Sequence, residues 1–396
     1  MSEAFLVDGI RTPVGRYGGA LSSVRPDDLA ALVVGETVSR SGVPHEAIDE
    51  VILGAANQAG EDNRNVARMA VLLAGLPDTL PGITVNRLCA SGMSAITMAS
   101  QAIRSGDADV IVAGGVESMS RAPWVQAKPD RAWAKPGAAF DTSIGWRFAN
   151  PKLVARDKAT FSMPETAEEV ARVDGIRRAD ADAFALLSHQ RALAAIDAGR
   201  LAAEIVPVET ARGIVDTDEG PRPETSLEVL AKLRPVVAGG EVVTAGNASS
   251  LNDGASAIVV AGADAVQRHG LRARARIVAS ATAALAPEIM GLGPVPATEK
   301  ALAKAGLTVA DLGAVELNEA FATQSLASIR RLGLDPEIVN ADGGAIALGH
   351  PLGSSGSRLI VTLLRRLEAT GARYGLATMC VGVGQGTAMI VERLDA

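Results

Sequence analysis

Short apolar runs alternate with amphipathic stretches along much of this chain. Val110-Ile111-Val112-Ala113-Gly114-Gly115 is rich in β-branched residues and bounded by Asp and Gly, so it predicts a buried strand. Ala257-Ile258-Val259-Val260-Ala261 and Ala388-Met389-Ile390-Val391 read the same way. Helical patterns lie between such runs, among them Ser94 to Ser105 and Gly356 to Thr370, each ended by a glycine. This alternation predicts an α/β layered fold in which helices cover a mixed sheet.

The pattern also repeats. Gly42-Val43-Pro44-His45-Glu46-Ala47-Ile48-Asp49-Glu50-Val51 matches Gly306-Leu307-Thr308-Val309-Ala310-Asp311-Leu312-Gly313-Ala314-Val315 in its apolar positions. Val85-Asn86 precedes a segment holding Cys89, and Val339-Asn340 precedes one holding His350. Ser91-Gly92 is expected to open one helix and Ser355-Gly356 its counterpart. Two similar halves packed together would bring corresponding loops close to a pseudo-twofold axis. The middle of the chain, from Ala122 to about Leu251, breaks the pattern. It carries Trp124, Trp133 and Trp146, many prolines, a polar turn-rich stretch from Asp216 to Ser226, and one long helical pattern from Ala179 to Ala198. It reads as an inserted loop domain, and long loops in compact proteins are usually functional.

Composition narrows the choices. A chain of 396 residues with 48% hydrophobic and 21% charged residues can bury a core without staples, and its two cysteines rule out a disulfide framework. Aromatics are only 3% against 41 glycines, so the core is built from small aliphatics and close backbones. The net charge of −7 argues against nucleic-acid binding, although an anionic ligand can be met by local positive charge. Met1 to Val7 lacks a targeting pattern, no apolar run is long enough to span a bilayer, and the end Arg393-Leu394-Asp395-Ala396 is not a peroxisomal tripeptide. The expectation is a cytoplasmic protein with reduced thiols.

Four blocks carry candidate chemistry. Cys89 lies between a strand-like segment and a helix, where the helix dipole would lower its pKa and favour the nucleophilic thiolate; a buried structural cysteine is the alternative. Cys380 begins Cys380-Val381-Gly382-Val383-Gly384-Gln385-Gly386, whose alternate glycines either turn N–H groups towards a ligand or form a tight strand connection. The run lacks the dinucleotide-binding glycine spacing. His350, in Gly349-His350-Pro351-Leu352-Gly353, is the one histidine embedded in glycine and proline, which suits a fixed base. His45, His189 and His269 lie in polar contexts and are expected to be solvated. Asn318, in Asn318-Glu319-Ala320-Phe321, would lie at a strand's end, where α/β proteins place ligand contacts or helix caps. One isolated histidine and two distant cysteines provide no metal-ligand spacing. A cysteine hydrolase would leave the second cysteine without a role.

These blocks, together with Gly114-Gly115-Val116-Glu117-Ser118-Met119-Ser120 and Thr244-Ala245-Gly246-Asn247-Ala248-Ser249, resemble the thiolase family over essentially the whole chain. The resemblance implies a five-layered fold of two duplicated α/β halves, residues 1–121 (completed by 252–272) and 273–396, with 122–251 as an inserted loop domain that binds coenzyme A and substrate. It implies that Cys89 is acylated, that His350 deprotonates it and, with a water held by Asn318, stabilises the thioester oxyanion. Cys380 would be the acid/base at the α-carbon, and the amides of Cys89 and Gly382 a second oxyanion hole. Ser249, Arg222, Met163, Phe321 and Ala320 would contact coenzyme A, which is substrate rather than a tightly bound cofactor. A homodimer or homotetramer is expected. Ser162 to Glu168, taken with Asp141 to Pro151, resembles the branch acting on 3-oxoadipyl-CoA, whose acyl group ends in a carboxylate; Arg147 or a nearby polar loop residue is the candidate to receive it, the alternative for Arg147 being to pair with a loop-domain carboxylate. The same catalytic residues would serve a general 3-ketoacyl-CoA or acetoacetyl-CoA thiolase. A ketoacyl synthase and an acyl-CoA-binding homologue without turnover fit less well, because all four catalytic side chains are present.

Overall fold

The structure is a computed structural model that describes residues 3–394, so Met1, Ser2, Asp395 and Ala396 of the terminal readings lie outside the described residues. One ten-stranded sheet organises it. Its strands are β1 (Ala4–Arg11), β2 (Glu50–Gly54), β3 (Gly82–Val85), β4 (Val110–Ser118), β5 (Asn252–Gly262), β6 (Ala275–Ala284), β7 (Leu312–Leu317), β8 (Tyr374–Val381) and β9 (Gln385–Arg393), with Gly15–Arg16 paired to β5. The order divides into two arrays, β1-β5-β4-β2-β3 and β6-β9-β8-β7. In each array the first two pairings are antiparallel and the next is parallel. The first array adds β3 in parallel beside β2, and the second has a parallel bridge from Val315 to Val339 at the equivalent place. The arrays join where β1 meets β6 at Phe5–Arg276 and Leu6–Ala275. The repeat in the sequence is thus a repeat in space, down to the left-handed glycines Gly42 and Gly306 (φ 69° and 67°) that end matching helices and lead through a 3-10 turn into β2 and β7.

Strand periodicity explains why the sheet is covered on both faces. On β4, Val110 and Val112 join one apolar cluster with α1 (Pro26–Ser41) and α2 (Val66–Leu73), while Ile111 and Ala113 join another with α3 (Ser91–Ser105). The second cluster also contains Met379, Val381, Met389 and Val391 of the other array. The central helices are therefore sandwiched between the arrays. The second array's outer face packs on the helices Pro294–Ala305 and Ala322–Leu332. This makes five layers, helix to helix.

The helix Leu352–Thr370 crosses α3 in the central layer with the two backbones in contact. A Cβ on Gly92 would lie 2.6 Å from Ser357 Oγ, and one on Gly356 2.4 Å from Met93 N. Ser91 opens α3, as its sequence predicts, but the partner helix opens at Leu352 and not at Ser355. Pro351, at φ −67° and lacking an N–H, is already set for a helix start.

The segment 122–251 holds two small hairpins and the helices α4 (Met163–Asp174) and α5 (Arg178–Asp197). Its three tryptophans are exposed, Trp133 fully, so none builds the core. Arg11 of β1 ties this segment down by buried ion pairs to Glu204 (2.6 Å) and Asp218 (2.6 Å). Removing one partner of such a set costs about 3–5 kcal/mol because a charge is left buried alone. Helix α4 is absent from the sequence expectations, although Ser162 and Glu165 form a capping box legible as Ser-x-x-Glu.

Candidate active site

Cys89 sits in the tight connection from β3 to α3. Asn86 Oδ1 accepts the Leu88 N–H at 2.8 Å, while Ser91 Oγ accepts the Arg87 N–H at 2.9 Å and donates to the Leu88 carbonyl at 2.7 Å. Leu88 takes the left-handed φ of 48°, so a leucine and not a glycine makes the sharp turn. The sulfur ends up buried, at 8% exposure for the residue. Burial pushes the thiol up to about 11, the Gly382 amide aimed at it works the other way, and the Glu117 carboxylate adds to the rise. The expectation of a lowered thiol pKa is therefore corrected. A helix N-terminus contributes roughly 0.3–1 kcal/mol, and full burial outweighs it.

His350 is held from three directions. Its backbone N–H donates to Asn252 Oδ1 at 2.9 Å, and its Nδ1 lies 2.6 Å from Ser355 Oγ. Ser355 Oγ also lies 2.9 Å from the Pro351 carbonyl; with its proton assigned there, Nδ1 carries the imidazole proton and Nε2 keeps its lone pair. Nε2 faces Asn318 Nδ2 at 3.4 Å. Burial, reinforced by the Arg358 cation, pushes the imidazole down to about 3. Neutral thiol and neutral imidazole are thus the resting forms. The other buried histidine, His189, accepts the Arg222 N–H at Nδ1 (3.2 Å), and burial pushes it down to about 4; the expectation that it is solvated is wrong because helix α5 packs inward.

Asn318 follows β7 and takes its backbone partner from Thr378. Asn340 fixes it from behind by bonding Leu317 N (2.8 Å), Leu317 O (2.8 Å) and the Glu319 carboxylate (2.8 Å). Asn318 Oδ1 is buried without a protein partner. A buried amide oxygen left in that state has room for a donor such as water or ligand.

Cys380, near the end of β8, is fully buried, and burial pushes its thiol well above the ordinary range; charge on Cys89 raises it further. It belongs to an apolar cluster with Met163, Ala248, Met290, Ala320 and Phe321. Backbone pairing assembles this wall: the Ser249 N–H donates to Ala320 O at 3.0 Å, and Ala248 bridges Phe321. Gly382 lies against the Leu88 side chain, and a Cβ there would come within 2.9 Å of Leu88 Cδ1, so a larger residue would have to displace that leucine. The structure therefore brings Cys89, His350, Cys380, Asn318, Gly382, Met163, Ala320, Phe321 and Ser249 into one neighbourhood. Arg222 is exposed and stands apart, in a segment whose Gly220 packs on the carbonyls of Ala347 and Leu348 just before His350. Arg147 is half-buried and donates to Gly145 O at 3.3 Å; among the described residues it pairs with no carboxylate, against the loop-domain alternative. Sequence reasoning missed Glu117, Asn252, Ser355 and Asn340 as supports of the site. Among the described residues no cluster of His, Cys, Asp and Glu is placed to hold a metal.

Two buried thiols, a fixed imidazole and a buried amide thus gather between the two similar strand arrays. The thiolase N-terminal domain model matches residues 4–264, and the thiolase C-terminal domain model matches residues 271–393. The chain belongs to the thiolase family of acyltransferases. It is 57% identical to the beta-ketoadipyl-CoA thiolase of Pseudomonas aeruginosa, over 99% of both chains. It is 56% identical to the 3-oxoadipyl-CoA/3-oxo-5,6-dehydrosuberyl-CoA thiolase of Escherichia coli, over 100% of both. Among solved structures, human mitochondrial 3-ketoacyl-CoA thiolase in complex with CoA superposes with a TM-score of 0.93 at 41% identity, covering 99% of this chain and 98% of that one.

Proposed function

We propose that this thiolase cleaves 3-oxoadipyl-CoA with coenzyme A to succinyl-CoA and acetyl-CoA through an acyl-Cys89 thioester. His350 Nε2 takes the Cys89 proton and Sγ adds to the C3 carbonyl. The C2–C3 bond breaks, Cys380 delivers its proton to C2, and acetyl-CoA leaves. Coenzyme A then attacks the succinyl thioester and gives its proton to the Cys380 thiolate, while the departing Cys89 recovers its own from His350. Oxyanions develop within reach of two donor sets, the amides of Cys89 and Gly382 and the His350–Asn318 pair with a water. Ser249, Met163, Ala320, Phe321 and Arg222 receive coenzyme A, which is a substrate. The enzyme works as a cytoplasmic homodimer or homotetramer. No helix among the described residues is long and apolar enough to cross a membrane.

The observation that carries the acyl assignment is that end-to-end relatives with this substrate in their names are 56–57% identical, against 41% for the human 3-ketoacyl-CoA thiolase. Thiolysis of 3-oxoadipyl-CoA and acetoacetyl-CoA at saturating coenzyme A tests it. We expect kcat/KM to favour 3-oxoadipyl-CoA by about tenfold or more, the worth of one well-placed polar contact. Equal or faster turnover of acetoacetyl-CoA removes the assignment.

Arg147 is the proposed reader of the terminal carboxylate, supported by its place in the loop segment and by a guanidinium with no anionic partner among the described residues. Arg147→Ala should raise KM for 3-oxoadipyl-CoA about tenfold, one charge-assisted hydrogen bond, and leave acetoacetyl-CoA kinetics unchanged. A parallel loss with both substrates would place Arg147 in a different role.

A further inference from the structure

Glu117, on β4, is a buried carboxylate that the acyl-transfer steps do not use. Among the described residues no cation pairs with it. Its hydrogen-bond partners are backbone N–H groups: Ala56 at 2.9 Å and Gly353 at 2.9 Å on Oε2, and Asn57 at 3.1 Å on Oε1. From these contacts two short bonded paths run to the reacting residues. On one side, the Ala56 carbonyl accepts Asn86 Nδ2 at 2.9 Å, and Asn86 Oδ1 holds the Leu88 N–H at 2.8 Å, one residue before Cys89. On the other side, Gly353 lies in the first turn of the helix Leu352–Thr370, three residues after His350.

The two paths end at equivalent points of the duplicated halves. Cys89 precedes the start of its central helix, Ser91, by two residues, and His350 precedes Leu352 by two. The backbones converge between them. A Cβ on Gly92 would lie 2.7 Å from the Gly353 carbonyl, and one on Gly54 would lie 2.2 Å from the Ser91 carbonyl carbon. The Glu117 carboxylate accepts the Gly353 N–H at one of these helix starts and so faces the positive end of that dipole.

We propose that Glu117 is a positioning residue for acyl transfer: its carboxylate ties the turn that carries Cys89 to the helix start that carries His350, and its charge adds to the burial that holds Cys89 as a thiol until His350 takes the proton. The inference rests on Cys89 and His350 being the reacting pair and is independent of which acyl group is transferred. An amide cannot replace the carboxylate, because every partner is a donor. Whichever way the side chain of a Glu117→Gln variant turned, its NH2 would face at least one N–H. The charge also acts on the site directly. Glu117 raises the Cys89 thiol, and burial places Glu117's own titration at about 7. Among the described residues, Asp62, pushed by burial up to about 6, acts on Glu117, and Cys380 faces Cys89.

Glu117→Gln tests this with two readouts. Turnover of whichever acyl-CoA the wild type cleaves should fall about 10–100-fold in kcat, the cost of misplacing a reacting pair, with KM for coenzyme A within about twofold. Iodoacetamide alkylation of Cys89, followed by site-resolved mass spectrometry without any substrate, should be about tenfold faster at pH 8.5 than in the wild type, because the opposing charge is gone. A fall in kcat with an unchanged alkylation rate would make Glu117 a purely structural support and overturn the proposal, as would unchanged kcat. If the variant does not fold, the wild type carries the test. Its alkylation rate should rise with a logarithmic slope below one between roughly pH 6 and 8 as Glu117 ionises. The same break should survive Asp62→Asn. A slope of one throughout, or a break that Asp62→Asn removes, overturns the assignment to Glu117.

Discussion

Cys89→Ala should form no acyl-enzyme and lose about 10⁴-fold or more in kcat, roughly 5.5 kcal/mol of barrier. The reasoning is that the two-step route needs a covalent acceptor, and no second thiol can take over. Cys380 is fully buried in the apolar cluster and shares its surroundings with the α-carbon chemistry. Asn318 is not a nucleophile, and the His350 imidazole is held by Asn252, Ser355 and Asn318 in the place of a base. The measurement is intact-protein mass after mixing with the 3-oxoacyl-CoA alone. Wild type should gain the acyl mass and release one equivalent of acetyl-CoA, and the variant should do neither. Removing one sulfur from the buried Cys89 opens little space, so the melting temperature should stay within a few degrees of wild type, roughly 1 kcal/mol for a large domain. A persistent acyl adduct on the variant would take the nucleophile role away from Cys89.

Much of the fold is legible in the sequence because it depends on periodicity. Val110 to Gly115 reads as a strand buried on both faces, and its alternate residues do serve two different clusters. Gly42 and Gly306 announce matching helix ends because the left-handed conformation at both favours glycine. The start at Leu352 is misplaced in the sequence reading because Ser355-Gly356 imitates the Ser91-Gly92 opening. In the structure Ser355 instead accepts the imidazole N–H, and Gly356 allows the helices to touch.

The site is legible in its letters and illegible in its electrostatics. His350 amid glycine and proline, and Cys380 before alternating glycines, are local signals. The direction of the Cys89 shift is not. It depends on burial by distant parts of the chain, against which the Gly382 amide, almost three hundred positions away, works. Glu117 illustrates the same limit. Its block is recognisable, yet no spacing in the chain reveals that amides from residues 56, 57 and 353 converge on one carboxylate. His189 misleads for the complementary reason, since a polar sequence context does not report which face of a helix packs inward.

Cys380→Ser is expected to separate the two halves of the reaction. Acyl transfer between preformed thioesters and Cys89 should persist, whereas cleavage and formation of the C2–C3 bond should fall by about 10²–10⁴-fold, the usual contribution of a positioned acid/base. A serine hydroxyl is far less acidic than a thiol, so it cannot hold the negative charge left when the proton reaches the α-carbon. The environment already makes that charge expensive, because burial raises the Cys380 thiol and charge on Cys89 raises it further. The second effect orders the steps. While Cys89 is a thiolate, ionising Cys380 would place two like charges in one apolar site. Once Cys89 carries an acyl group it is a neutral thioester, and that opposition disappears. Cys380 therefore gives up its proton most readily after Cys89 has been acylated. Exchange of label between acyl-CoA and free coenzyme A reads acyl transfer to and from Cys89 alone, where the proton that His350 takes from Cys89 can return to the departing coenzyme A thiolate, and thiolysis of a 3-oxoacyl-CoA adds the C2–C3 cleavage. The variant should retain the exchange within about tenfold and lose the thiolysis. Equal losses in the two assays would show that Cys380 supports acylation itself, and the division of labour between the two sulfurs would have to be redrawn.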